Sequence, residues 1–351
     1  MKDYKLFVTQ MVSVLPSKVS VTTEIQKQIK NSNGSWIFKP KVKSTSSSDA
    51  PKLVRKFHNF EISQNSARKL RQKIDFLYHY SKSRTVRTYT GKKLRNFKTC
   101  FLTLTLPSEQ IHNTGMIITN CLDPFLQICR QRLGMRNYVW RLEFQRNGNA
   151  HFHIITDTYI DYYFARKHWN KSCNSLGYLD AYKEKMSALS YSEYCNLYGK
   201  DFKGNKINPG VLFKRYSTGV ATNWNKPNSV DVKAIKTNRE IALYISKYFS
   251  KKEKSSKCNA LDNEENSFAI RLCFWSRSLS RLELETMPRD FYSIDIVSLL
   301  DSDAKVLRCV YDYCVVYYFD LNDVDQLLKD YINEYLEVLR VECDYIPAGF
   351  L

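Results

Sequence analysis

Apolar and polar residues alternate with period two over Val139 to Gln145 and again over Ala150 to Thr156, with Asn147-Gly148-Asn149 between them. This pattern predicts a β-hairpin. A two-residue Asn147-Gly148 turn pairs Glu143 with Phe152 and sends the carboxylate and the two histidines, His151 and His153, to opposite faces. A three-residue loop, with Gly148 or Asn149 in the left-handed region, pairs Glu143 with His153 and Gln145 with His151. That register collects Glu143, His151 and His153 on one face and leaves Leu142, Phe144, Phe152 and Ile154 together on the other. An antiparallel sheet packed on one side needs such a continuous apolar face, which favours the three-residue loop.

The same reading places the other elements. Thr99 to Leu106, rich in Thr and Leu and stopped by Pro107, predicts a central strand. A helix capped by Asn113 or Thr114 follows to about Leu133, kinked or divided at Pro124 and closed by Gly134. Ser66 to Ser81 and Asp161 to Leu176 have helical spacing, and Ala181 to Tyr198 is a Tyr-rich third case. Asp201 to Asn228 reads as a basic loop, and Ser229 to Ile235 as a strand. Thr237-Asn238-Arg239-Glu240 is a capping box that opens a helix through Glu240-Ile241-Ala242-Leu243-Tyr244-Ile245-Ser246-Lys247-Tyr248. A strand is expected within Ser267 to Trp275. In the acidic end two helices are expected, near Asp301 to Tyr318 and Asn322 to Arg340, and the first of these windows is equally compatible with a strand. Strand, helix and hairpin in succession predict an α+β fold, a central antiparallel sheet flanked by helices. The domain boundaries expected are a basic, partly flexible N-terminal arm at residues 1–60, a main domain at 61–289, and an acidic, mostly helical C-terminal segment at 290–351.

Charge sharpens this picture. The chain of 351 residues carries net +19. From Asp290 to Leu351 there are 13 acidic against 4 basic residues, net −9, which leaves +28 on what precedes. With Tyr, Phe and Trp interleaved, so basic a region suits phosphate neutralisation and base stacking, and single-stranded nucleic acid is the expected partner. The ten cysteines are scattered and never form Cys-x-x-Cys, so free thiols in a reducing cytoplasm are expected and a zinc ribbon is not. The longest apolar run is far too short to span a bilayer. No Gly-x-x-x-x-Gly-Lys-Ser/Thr loop occurs, which argues against a fused ATP-driven helicase.

One carboxylate and two imidazoles on neighbouring strands form a candidate metal site with open positions. The plain alternative is a half-exposed strand that alternates polar residues for solubility. Tyr244 and Tyr248 fall one helical turn apart, with Lys247 to the side. Here too the plain alternative stands: a stripe of Ile241, Tyr244, Ile245 and Tyr248 facing a core.

Three motifs occur in order: Phe101-Leu102-Thr103-Leu104-Thr105-Leu106-Pro107, then His151-Phe152-His153 with Glu143 eight residues ahead, then Tyr244-Ile245-Ser246-Lys247-Tyr248. The set resembles the HUH endonucleases, in particular the two-tyrosine rolling-circle replication initiators of small phages and plasmids, of the gene A protein type. The likeness covers roughly residues 60 to 280. It implies a sheet of about five strands with the histidines on a central strand and the tyrosine helix beside it. It also implies Glu143, His151 and His153 as ligands of a divalent metal, Mg or Mn, with Tyr244 as first nucleophile, Lys247 as its partner and Tyr248 as second nucleophile. The activity implied is nicking of single-stranded origin DNA, with a 5′-phosphotyrosine link and a free 3′-hydroxyl, followed by rejoining, in a bacterial cytoplasm where a host helicase and polymerase are further partners. A relaxase of the superfamily usually adds a third histidine, for which His112 is the nearest substitute, and a transposase usually has one catalytic tyrosine. A basic single-strand binder without catalysis is the reading from another class.

Overall fold

The computed structural model describes residues 4–30, 35–38, 62–201, 204–237, 240, 271–282, 287–289, 295–312 and 314–348. The chain forms two compact units, Asn59–Ser276 with Pro347–Leu351, and Met1–His58 with Arg277–Ile346.

In the first unit, α1 (Gln64–Tyr80) precedes a small hairpin, β4 (Arg84–Arg87) and β5 (Lys93–Phe97), and then β6 (Thr99–Thr105). The helical stretch after β6 divides as its proline predicts. It comprises α2 (Thr114–Ile117), a π-helical turn over Ile118–Leu122, and α3 (Asp123–Leu133) with Pro124 in its first turn. Asn113 caps the start and Gly134, at φ 64°, ends it. Next come β7 (Tyr138–Phe144), β8 (Ala150–Thr156), α4 (Tyr162–Asn174), α5 (Tyr178–Ser187), α6 (Tyr191–Tyr198), α7 (Pro209–Ala221), β9 (Val230–Ile235) and β10 (Cys273–Trp275). The strands form one antiparallel sheet in the order β10-β7-β8-β6-β9, so the histidine strand β8 is central. The α+β architecture with a five-stranded antiparallel sheet flanked by helices agrees with the fold expected from sequence.

Alternation gives the sheet two unlike faces. Leu102, Leu104, Trp140, Leu142, Phe152 and Ile154 pack under α3 and α4 in one buried cluster with Phe125 and Trp169. The Phe152 ring meets both Trp140 and Trp169 edge to face, and burying each such ring stabilises the fold by about 1.5–3 kcal/mol. The other face carries the histidines, and α1 packs against β7 and β10. Tyr78 of α1 donates to the Lys236 carbonyl at 3.3 Å, just past the end of β9.

Two expectations for this unit need correction. Ala181 to Tyr198 is two helices rather than one, because Ser190 and Glu193 form a reciprocal capping box that starts α6 afresh. Asp201 to Asn228 is no loop. Asn208 accepts from Gly210 N and Pro209 takes the first helical position, so α7 begins there. Trp224 folds back on α7 so closely that a Cβ at Gly219 would come within 2.1 Å of its ring, and it joins Met186, Tyr194 and Leu212 in a small satellite core.

The second unit corrects the expected boundaries further. Residues 4–30 are not a flexible arm but two long strands, β1 (Tyr4–Leu15) and β2 (Lys18–Lys30), paired in continuous register. Beside β2 lies the short β3 (Trp36–Phe38), and three later strands complete the sheet: β11 (Met287–Pro288), β12 (Leu307–Val310) and β13 (Cys314–Tyr318). Its order is β11-β1-β2-β13-β12. The acidic segment is therefore not an appendage. Val315 and Tyr317 pair directly with Val21 and Val19. Asp301 to Tyr318, expected mainly as a helix, contains this hairpin, as its β-branched and Tyr-rich composition allows. The second helix is present as Gln326–Glu342. The last described residues rejoin the first unit, where Ala348 N donates to Asp157 Oδ2 at 2.8 Å and Arg84 donates to the Ala348 carbonyl at 3.3 Å.

This arrangement sets an expected result for truncation. A chain ending after Arg289 loses the β12–β13 hairpin and opens the long edge of β2, an unpaired edge prone to non-native pairing. Limited proteolysis should then cut within residues 4–30 at least tenfold faster than in the full chain, about the effect of losing 1.4 kcal/mol of local stability. An unchanged cleavage rate would show that β13 does not hold this sheet.

Candidate active site

The hairpin turn fixes where the polar residues meet. Gln145 N donates to the Asn149 carbonyl at 2.9 Å, Gly148 N donates to the Gln145 carbonyl at 2.8 Å, and Gly148 adopts φ 86°. The loop is the expected three-residue one with Gly148 left-handed, but it spans Arg146 to Gly148. Glu143 therefore pairs with His151, and Arg141 with His153. The expected pairing of Glu143 with His153 was thus displaced by two residues. A shift of two preserves the face, since side chains alternate with that period, so all three groups remain together and Glu143 reaches His153 on the diagonal. His153 Nε2 lies 3.1 Å from Glu143 Oε2, the rings of His151 and His153 are 4.7 Å apart, and Arg141 Nε is 3.8 Å from Glu143 Oε1.

From the other side β6 sets the imidazoles. Thr103 pairs with His153 and Thr105 with His151. Thr105 Oγ1 is 3.0 Å from His151 Nδ1, and Thr103 Oγ1 is 3.4 Å from His153 Nδ1. A hydroxyl donates or accepts, so each threonine can hold its imidazole in either tautomer. Phe101 stacks on His153 at 5.5 Å. The entry to β8 is clamped as well: Asn149 accepts from Gln110 N and donates to the Ser108 carbonyl, both at 2.9 Å, while Gln110 Oε1 accepts from Ala150 N at 2.7 Å.

Electrostatics suit cation binding. Burial, then the neighbouring His153, lower the His151 pKa to about 4 against a smaller opposing effect of Glu143, so this imidazole is neutral at pH 7 with a lone pair to give. Burial raises the Glu143 pKa, but the hydrogen bond from His153 and the charges of His153, Arg141 and His151 bring it below its ordinary value. A carboxylate with two imidazoles anchored through Nδ1 is a donor set that fits a divalent ion. The shell is not preformed. Glu143 and His153 bond each other directly, and among the described residues no three His, Cys, Asp or Glu side chains are already grouped to hold an ion. His112 is placed elsewhere, its Nδ1 3.1 Å from the Tyr178 hydroxyl.

Tyr244, Lys247 and Tyr248 lie outside the described residues. Their helix begins as the capping box requires: Glu240 N donates to Thr237 Oγ1, and Thr237 N donates to Glu240 Oε2, both at 3.3 Å. Thr103, Thr105, Arg141 and Gln110 carried no expected role. The threonines had a signal, since Thr-x-Thr opposite His-x-His pairs hydroxyl with imidazole at every second residue.

Thr105→Val keeps the β-branched shape and removes the hydroxyl. Outer-shell partners of ligating histidines typically contribute 10–100-fold in metal affinity. Mn affinity measured by calorimetry should fall about tenfold with the fold intact, and an unchanged affinity would deny Thr105 its orienting role.

Residues 99–253 match a family of replication-associated proteins, described by its ORF2 member. The matched segment starts at β6, contains Glu143, His151 and His153, and extends over Tyr244, Lys247 and Tyr248. It is rather less than half of the chain, and the similarity supports a role in replication initiation. No curated protein and no solved structure matches the chain. Every described cysteine is a free thiol, and no helix among the described residues is long and apolar enough to cross a membrane.

Proposed function

We propose that this protein is a rolling-circle replication initiator that nicks single-stranded origin DNA and later rejoins the ends. The observation that carries this reading is the central-strand arrangement: two imidazoles anchored at Nδ1 by Thr103 and Thr105, with the Glu143 carboxylate against them. Glu143, His151 and His153 would hold Mg or Mn, which when bound polarises the scissile phosphate and neutralises charge developing on it. Tyr244 is the nucleophile. Its phenolic oxygen bonds to phosphorus, the bond from phosphorus to the 3′ oxygen breaks, and that oxygen leaves as a hydroxyl after taking up a proton. A phenol near pKa 10 is mostly neutral at pH 7, and Lys247 supplies positive charge that favours the phenolate. Tyr248 provides a second nucleophile for cleavage after one circuit. The 3′-hydroxyl would prime a host polymerase, with a host helicase opening the duplex, in the cytoplasm of a bacterial cell.

The direct bond between Glu143 and His153 keeps a second reading in view, a basic single-strand binder that uses this pair structurally. Incubation with single-stranded origin-type DNA and Mn, followed by a denaturing gel, separates the two. A covalent protein–DNA band is expected, and its absence across candidate origins with intact DNA binding would leave the binder.

A further inference from the structure

On the sheet face away from the histidines, α4 buries Ala165, Trp169 and Cys173 in the core. Its outer side borders a groove of about 700 Å³ lined by Tyr163, Arg166, Lys167, Asn170, Lys171 and Lys226, and no Asp or Glu is among its lining residues. Asn170, 5% exposed, is fixed in the floor by the Ser229 hydroxyl. The positive field is felt nearby: His168 is held below the ordinary imidazole value, first by burial and then by the charges of Lys167, Lys171 and Arg132.

One end of the groove is aromatic. Tyr89, in the turn between β4 and β5, is 80% exposed, and its ring lies 5.4 Å from that of Tyr163, itself 45% exposed. The turn is tied to the start of α4, because Tyr89 N donates to Asp161 Oδ2 at 2.8 Å. Arg166 lies over the rings of both Tyr162 and Tyr163, at 4.9 and 5.6 Å. A stack of rings left in water at the mouth of a cationic groove is the combination that binds unpaired nucleotides, with bases on the rings and phosphates on the cations. A duplex offers no base faces to such rings.

We propose that this groove binds a second single-stranded stretch of nucleic acid, apart from any strand at the histidine face. Bases stack on Tyr89 and Tyr163, and the backbone follows Arg166, Lys167, Lys171 and Lys226 along about 16 Å of α4. The inference rests on the groove and not on metal or tyrosine chemistry. It takes from the proposed function only that the partner is nucleic acid.

Fluorescence anisotropy of the full chain with labelled oligo-dT of ~20 nucleotides, from about 50 to 200 mM salt, tests it. The variant Arg166→Ala/Lys167→Ala/Lys171→Ala should lose at least about tenfold in affinity, and its log-log salt slope should shrink by about 2, since each phosphate contact on single strands contributes roughly 0.7. Lys185→Ala/Lys214→Ala/Arg215→Ala, with the same loss of charge on α5 and α7, should keep the wild-type slope. Tyr89→Ala should weaken binding about tenfold with the slope unchanged, and Tyr89→Phe should restore it. Equal affinity and slope in the two triple variants would overturn the proposal. So would a loss confined to duplex of the same length. The covalent adduct formed on a short origin oligonucleotide reports the histidine face separately: absence of that adduct with the groove effects intact sinks the cleavage mechanism alone.

Discussion

Replacing both Tyr244 and Tyr248 with Phe should eliminate every covalent DNA adduct while single-strand affinity stays within about threefold of wild type, because the basic surface supplies binding. Phe keeps ring size and helix propensity and removes only the hydroxyl, so a loss of activity reports the nucleophile and not the fold. The single variants should differ. The two residues are one helical turn apart, but Lys247 follows Tyr244 by three positions and directly precedes Tyr248. Tyr244→Phe should reduce initial nicking by roughly 10³-fold, as loss of a covalent nucleophile implies. Tyr248→Phe should nick normally and fail to release unit-length circles. Mass spectrometry of the trapped peptide decides the assignment: DNA on Tyr248 alone would reverse it, and an adduct surviving in the double variant would end the tyrosine mechanism.

The second large effect is expected at the imidazoles. His151→Ala should lower cleavage by roughly 10³-fold, corresponding to the several kcal/mol of charge stabilisation a bound cation supplies, and should leave most oligonucleotide binding. His151 is the better probe of the pair. His153 is 1% exposed and bonded on both sides, to Thr103 and Glu143, so its removal also damages packing. Glu143→Gln should cleave weakly and recover partly in excess Mn, since two ligands and their threonine anchors remain. Equal loss of binding and cleavage in His151→Ala, with circular dichroism unchanged, would place the histidines in DNA binding and not in chemistry. No recovery of Glu143→Gln at any Mn concentration would count against Glu143 as a ligand.

Much of the site was legible before any coordinates, for an identifiable reason. Side chains alternate along a strand with period two, so once an apolar face is required, the polar face of the hairpin follows. Glu143, His151 and His153 had to share it. The register within that face was not legible. Loops spanning Arg146 to Gly148 or Asn147 to Asn149 both satisfy the alternation, and only the αL position of Gly148, with Gln145 closing on Asn149, chooses between them. Helix α7 was missed because the many Gly, Asn and basic residues around it mask Asn208-Pro209, a local start signal.

By itself the sequence determined the elements and faces set by local periodicity: strands β6 to β9, the capped and kinked helix before the hairpin, the polar face of β7 and β8, and a basic chain with an acidic end. Tertiary structure decided what depends on distant partners. Threonines two residues apart on β6 became imidazole anchors because antiparallel pairing set them opposite His151 and His153. Strands β1 and β2 and the acidic segment became one sheet, although nearly three hundred residues lie between β2 and β13, because the apolar positions Val19 and Val21 required a partner edge that local sequence cannot name. Local propensity acts over a few residues. Pairing between strands is settled by which buried faces and open edges the whole chain brings together.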